Sequence, residues 1–303
     1  MSELLSTSKL SKKYGSRFAL KDADIHIKQG DIYGLIGRNG AGKTTLLKMI
    51  NSQIVKTSGE IYTGGKAMKF GWPGIKIGAL VEAPGLYPDC TAHDNLMYKC
   101  VSMGVYSKAY VDGLLARVEL QNTGKKKVKQ FSLGMKQRLS IALALVNEPD
   151  LLILDEPING MDPQGIRDIR EMLVSVNREM GVTILISSHI LDELAKFATT
   201  YGIIKDGLVL REFTREELEH ENRSGIEVES PQIEAVESLL REEMHLVDMQ
   251  RTAEGNLMIR DGVERYGDIS RLLFDRGIYV SQFSVRRESL ENYFMRMTGG
   301  GRI

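Results

Sequence analysis

The sequence predicts an α/β domain built on a mixed sheet, followed by a smaller α+β domain. Three observations carry this expectation. The apolar run Asp31 to Ile36 leads straight into a glycine-rich segment that opens a helix, the pattern of a buried strand feeding a helix N-terminus. A second run, Leu151 to Leu154, ends on Asp155-Glu156, as strands of open sheets do where they deliver polar groups to a ligand crevice. Beyond Leu210 the composition changes: 13 basic against 19 acidic residues give −6, whereas the preceding part carries 27 against 21 and sums to +6.

A chain of 303 residues is long for one compact core, since domains usually hold about 100 to 200 residues. Forty basic residues balance forty acidic ones, with 42% hydrophobic and 26% charged residues, which excludes a collagen-like, wholly disordered or disulfide-stapled protein. No stretch approaches the roughly 20 apolar residues that span a bilayer. The opening MSELLSTSKLSKKYG lacks a secretory apolar run, and Cys90 and Cys100 form no C-x-x-C pair, so a reducing cytoplasm is expected.

Taken in order, Lys9 to Tyr14 and Arg17 to Leu20 flank a Gly15-Ser16 turn, and Asp22 to Ile27 alternates apolar with polar residues, which predicts antiparallel strands. Asp31 to Ile36 then enters Gly37-Arg38-Asn39-Gly40-Ala41-Gly42-Lys43-Thr44, followed by the helical pattern Thr45 to Ile50. This G-x-x-x-x-G-K-T spacing between strand and helix is that of a phosphate-binding loop. Glycines let backbone N–H groups turn toward phosphates, and the helix N-terminus adds about half a positive charge. Gly37, Asn39, Gly40, Ala41, Gly42, Lys43, Thr44 and Thr45 are therefore expected to bind a nucleotide, with Lys43 on the β and γ phosphates and Thr44 on Mg²⁺.

Residues 91 to 148 read as a helical insert. Thr91 with Asp94 makes a capping box, Ser107 caps Lys108 to Val118, and Gly134 to Val146 has helical spacing. After the strand Leu151 to Leu154, Asp162-Pro163 opens a helix to Glu179, Thr183 to Ser187 is a strand, and Ser188-His189 leads into a helix Ile190 to Ala198. Tyr201 to Lys205 and Leu208 to Phe213 form a hairpin around Asp206-Gly207. Lys125, Lys126, Lys127 and Lys129 lack interleaved aromatics and read as a solvated loop, so no nucleic-acid partner is expected. Trp72-Pro73-Gly74 is a rigid turn to which no chemistry attaches.

These residues resemble the nucleotide-binding subunit of ABC transporters over roughly residues 3 to 213. Phe131-Ser132-Leu133-Gly134-Met135 before Lys136-Gln137-Arg138 looks like the L-S-G-G-Q signature, and LLILDEP follows about 20 residues later. Asn159 to Asp162 looks like the D-loop and His189 like the switch histidine. The match departs at Leu133, at Met135, and at Glu82, which stands where the family has glutamine. SLGMKQR together with EAPGLYP is similar to the bacitracin and lantibiotic resistance branch.

The resemblance implies an ABC-type P-loop fold, ATP and Mg²⁺, and a role for each matched residue. Glu156 is the expected catalytic base, His189 a ligand of the γ phosphate, and Tyr14 the adenine platform. Asp155, Thr44 and Glu82 are the expected metal group. Ser132 and Gly134 are expected to face the γ phosphate held by a second copy, so that two chains complete either site. The implied function is an ATPase subunit, peripheral at the cytoplasmic side of the membrane, that powers a separate permease exporting a peptide antibiotic or other amphipathic substrate. The alternative is a soluble non-transport ABC ATPase with a regulatory C-terminal domain. Ribosome-acting members carry two cassettes and DNA-repair members carry long coiled coils, features not found in this sequence; a kinase or GTPase is opposed by the signature and His189.

The expected organisation is an ATPase domain over 1–213, a linker helix over 214–224 and an accessory domain over 225–303. The last reads as βαββαβ, which suggests a ferredoxin-like unit, followed by a helix Leu290 to Met297.

Overall fold

The computed structural model describes residues 2–82, 85–221, 225–252, 254–286 and 293–294, with the side chains of 219–221 and 286 excepted. The chain divides into two compact units, one running to Arg215 and the other beginning at Glu216.

In the first unit the strands are β1 (Glu3–Tyr14), β2 (Arg17–Ala23), β3 (His26–Lys28) and β4 (Ile32–Ile36), then helix α1 (Lys43–Ile50). Next come β5 (Ser58–Thr63), β6 (Lys66–Ala67), β7 (Ile77–Leu80) and the helices α2 (Ala92–Ser102), α3 (Lys108–Arg117) and α4 (Leu133–Ala144). The unit continues with β8 (Leu151–Asp155), α5 (Pro163–Met180), β9 (Thr183–Ser188), α6 (Leu191–Ala195), β10 (Thr200–Lys205) and β11 (Leu208–Thr214).

Six strands in the order β11-β10-β4-β9-β8-β7 form the central sheet, parallel except for β11. A second, antiparallel sheet joins β2, β1, β5 and β6, with β3 also paired to β1. The buried runs of β4, of β8 up to Leu154 and of β9 from Ile184 to Ile186 are apolar because both faces are covered. Leu46, Leu47 and Ile50 of α1 are wholly buried in a core shared with Leu5, Ile25, Leu35, Ile153 and Leu185. At about 1.5–3 kcal/mol for each such side chain, this packing fixes the start of α1 against the sheet edge.

Helix ends follow the sequence. Thr91 and Asp94 form the reciprocal capping box of α2, Ser107 caps α3, and α5 begins with Asp162 accepting from Gly165 N and Pro163 in its first turn. Three details differ from expectation. The strand ending at Tyr14 begins at Glu3 rather than Lys9, and Lys9 sits at φ 47° where the register shifts. The expected strand Asp22 to Ile27 is split in two, with Asp22 at φ 45°. The helix after His189 is short, Leu191–Ala195.

α7 (Arg215–Glu221) begins at the division, and the second unit continues with β12 (Gly225–Glu229), α8 (Ile233–Met244), β13 (Met249–Arg251), β14 (Leu257–Ile259), α9 (Tyr266–Asp275) and β15 (Gln282–Arg286). Its sheet order β13-β14-β12-β15, antiparallel throughout, is that of a split βαβ unit. Ile226 and Val228 pack on Val236 and Leu240 of α8 and Ile269 and Leu273 of α9. Most of the helix expected over Leu290 to Met297 lies outside the described residues; Tyr293 and Phe294 are helical and buried.

A half-buried carboxylate node ties β3, β4 and β11 together. Glu212 accepts from the hydroxyl of Tyr33 at 2.7 Å and from His26 N at 2.8 Å, and lies 2.8 Å from His26 Nδ1. Glu212 raises the pKa of His26, chiefly through this hydrogen bond. The folded pKa exceeds the unfolded one, so the stabilisation is complete below the unfolded value of about 6.5 and is lost as pH rises through the folded value. His26 is 54% exposed, so the effect is under about 1 kcal/mol. His26→Gln should therefore lower Tm at pH 6 and narrow its deficit by pH 8.5; a deficit that widened with pH would contradict this assignment.

Candidate active site

Three C-terminal strand ends meet at one edge of the central sheet. Ile36 of β4 pairs with Ser188 of β9, and Asp155 of β8 pairs with Ser187 of β9. The loop after β4, the Asp155-Glu156 pair and Ser187-Ser188-His189 therefore converge, because parallel strands in register end together.

The loop is shaped by its glycines where side chains have no room. Gly42 takes φ +110°, and a Cβ there would lie 2.7 Å from the Ala19 carbonyl oxygen; at Gly37 one would lie 2.5 Å from that of Ile204. α1 starts with no side-chain cap and no acidic residue in its first turn, leaving its N–H groups and dipole directed at the recess. This 160 Å³ recess is lined by Ala19 and by Arg38, Asn39, Gly40, Gly42, Lys43, Thr44, Thr45 and Glu156. Ala41 is buried behind it. Tyr14 ends β1, 54% exposed and with Lys12 Nζ 4.9 Å from its ring centre; it is not among the lining residues.

Lys43 is buried, donates to Gly37 O at 2.6 Å and Arg38 O at 3.3 Å, and lies 3.0 Å from Glu156 Oε1. Glu156 Oε2 sits 2.8 Å from His189 Nδ1, and Glu156 itself is held at φ 49°. Its carboxylate thus bridges the lysine and the histidine, and it takes a backbone conformation costly for a non-glycine residue. Asp155 accepts from the hydroxyls of Thr44 at 2.7 Å and Ser187 at 2.6 Å, while Glu156 N donates to Ser187 Oγ at 3.0 Å. Ser187 orients both acids at once.

Two groups lie apart from this cluster. Glu82, at φ 67° and with its side chain 64% exposed, pairs with Lys48 Nζ at 2.5 Å. Ser132 caps α4 by accepting from Met135 N at 3.2 Å. With Gly134 and the Gly160 to Asp162 segment it lines a separate recess of 470 Å³, and the two recesses share no lining residue. Arg138 ties this second recess to α5 through Asp168 at 2.6 Å. The lysine loop is an exposed one, with Lys129 paired to Asp89 at 2.7 Å. The roles of Ser187 and Lys48 were not foreseen from sequence: serine in a strand and lysine on a helix carry no distinctive local signal.

Compared with known proteins, the chain is 40% identical over 306 residues to the bacitracin transport ATP-binding protein BcrA of Bacillus licheniformis, with all of both chains covered. The chain belongs to the ATP-binding subunits of ABC transporters. The lantibiotic transport ATP-binding protein SrtF of Streptococcus pyogenes is 45% identical over 212 residues, covering 69% of this chain and 90% of that one. These relatives place this ABC subunit in the bacitracin and lantibiotic branch, and the ABC transporter family model matches residues 20–159. Among solved structures, cbiO1 from Clostridium perfringens, part of an ABC transporter complex, has a TM-score of 0.66 at 26% identity, covering 81% of this chain and 97% of that one. A dimeric ABC cassette in a post-hydrolysis state with ADP and Pi has a TM-score of 0.62 at 27% identity, over 70% and 99%. The activity of this ABC subunit is ATP hydrolysis coupled to transport. No helix among the described residues is long and apolar enough to cross a membrane.

Proposed function

We propose that two copies of this ABC subunit clamp two ATP molecules between them and drive a separate membrane permease that removes a bacitracin-like peptide. The observation that carries the dimer is the separation of the two recesses on one chain. A phosphate seated on Lys43 reaches no signature residue of its own copy, so a second copy supplies Ser132 and Gly134. ATP enters by replacing Glu156 at Lys43, and the released carboxylate then orients and accepts the proton of the attacking water. His189 steadies Glu156 and donates to the γ phosphate. Thr44 and Asp155, 2.7 Å apart, are oxygen donors of the kind Mg²⁺ takes; Glu82 would join them only on leaving Lys48, and the bound ion would neutralise phosphate charge. Phosphoryl transfer of this type is positioning plus charge stabilisation, which is what these residues supply.

Next to the Glu82 loop, a 390 Å³ cavity is lined by Gly78, Tyr87, Asn95, Tyr98, Met103 and Leu143 among others. Walls that mix aromatic and aliphatic side chains with Asn95, Lys99, Ser102 and Ser140 suit a short amphipathic helix of the permease. Residues 1–213 form the ATPase domain in this reading and 225–303 an accessory one, at the cytoplasmic face of the membrane. The peptide substrate rests on the full-length likeness to BcrA. In native cells the tagged chain should fractionate with a multi-span membrane protein, and deleting its gene should lower the bacitracin concentration tolerated. A chain recovered only in the soluble fraction would overturn the permease, and unchanged tolerance would overturn the substrate.

A further inference from the structure

Between Glu60 and Glu82 the chain carries Lys66, Lys69 and Lys76 and no acidic residue. All three lysines are exposed, and the turn among them presents Trp72 at 79% exposure and Phe70 at 59%. Trp72 is the most exposed aromatic of the first unit, and nothing in the ATPase chemistry uses it.

The turn is held rigidly in this outward posture. Lys69 and Trp72 form an isolated β-bridge, with Trp72 N donating to Lys69 O at 2.8 Å across Gly71 at φ +76°. Met68 N donates to Ile61 O at 2.7 Å, and the Thr63 hydroxyl donates to the Pro73 carbonyl. Met68 and Ile75, on either side of the tip, pack against the main core. The turn is thus anchored at both ends by hydrogen bonds and core packing, and it presents the two aromatics at its tip to solvent. Large apolar side chains fixed in water in this way mark a contact surface.

The chemistry of the patch selects the partner. An exposed tryptophan and phenylalanine on one turn with exposed lysines suit the interface of a bilayer, where aromatic rings lodge at headgroup depth and basic residues meet anionic lipid. At the far end of the segment the Asp150 carboxylate accepts from Lys76 N at 2.8 Å, whereas no acidic residue stands within the turn beside Lys66, Lys69 and the two rings. We propose that the Lys66 to Lys76 turn is a membrane-contact tip that inserts Trp72 and Phe70 into the headgroup layer of an anionic bilayer. The contact is weak and reversible, since a few aromatics and lysines fall short of stable anchoring. Its effect is to raise the local concentration of the subunit at the membrane. The proposal stands independently of the transport reading, because it involves neither a permease nor ATP.

The chain has a single tryptophan, so Trp72 emission reports on this turn alone. The full-length protein is titrated with vesicles of phosphatidylcholine containing roughly a quarter phosphatidylglycerol, and with phosphatidylcholine alone. The expected result is a blue shift and flotation with the anionic vesicles, weakened by salt. Partitioning should fall about fivefold for each of Lys66→Ala, Lys69→Ala and Lys76→Ala. Phe70→Ala should weaken it as well while keeping the reporter. No shift with anionic vesicles, equal binding to both compositions, or a blue shift in lipid-free protein that disappears on dilution would each overturn the proposal; the last would assign the tip to a second copy.

Discussion

Glu156→Gln is expected to bind ATP at least as tightly as the unsubstituted chain and to hydrolyse it about 10²-fold or more slowly. The amide keeps the shape of the side chain but cannot take a proton, and general-base contributions of this kind are worth about 10² to 10⁴. A factor of 10² corresponds to about 2.7 kcal/mol of transition-state stabilisation. The binding half of the expectation comes from the ion pair of Glu156 with Lys43 at 3.0 Å. That pair competes with phosphate for the buried ammonium, so removing its negative charge leaves affinity unchanged or raised. Phosphate release and titration with a fluorescent nucleotide measure the two halves separately, and gel filtration with ATP should show an accumulated dimer. Near-normal turnover would remove Glu156 from the catalytic role.

Mixing Ser132→Arg with Lys43→Ala is expected to restore activity that neither protein has alone. Ser132→Arg fills the signature recess of its own copy, whereas Lys43→Ala empties the phosphate loop of the other. In the heterodimer one site pairs an intact Lys43 with an intact Ser132, and the second site carries both lesions. Random pairing of equal amounts gives about half heterodimers, hence about a quarter of the normal number of intact sites in a two-fold assembly. ATPase activity approaching that fraction is the outcome if one site turns over alone. Full activity of the unsubstituted chain as a monomer, or no recovery when mass measurement shows the heterodimer present, would overturn the shared site.

Much of this arrangement was legible because local chemistry and topology agree. Residues 32–36 and 151–154 are apolar throughout, so the polar residues that follow them stand out as strand-end groups. The phosphate loop is specified by its glycines, and Gly42 shows why, since its conformation and its closeness to Ala19 both exclude a side chain. Illegible parts depend on distant neighbours. β7 reads Ile-Gly-Ala-Leu, weak in strand-forming residues, and is a strand because it completes the edge of the sheet beside β8. Ser187 serves Asp155 and Lys48 serves Glu82 only after folding brings together residues 32 and 34 positions apart. Glu82 illustrates the limit of pattern matching: a substitution seen in sequence as a departure is, in the fold, half of an ion pair with α1.

The contact between Gly78 and Ala144 bears on how work is transmitted. A Cβ at Gly78 would lie 1.9 Å from the Ala144 carbonyl oxygen, so β7 meets the last residue of α4 backbone to backbone. No flexible side chain stands between them to absorb displacement. The 12 residues of α4 span about 18 Å, with Gly78 and Leu143 in the cavity wall at one end and Ser132 at the other. Signature serine and cavity wall are therefore opposite ends of one stiff strut. In the proposed dimer, closure around ATP at the serine and thrust on a permease helix at the cavity would be a single stroke, delivered without slack.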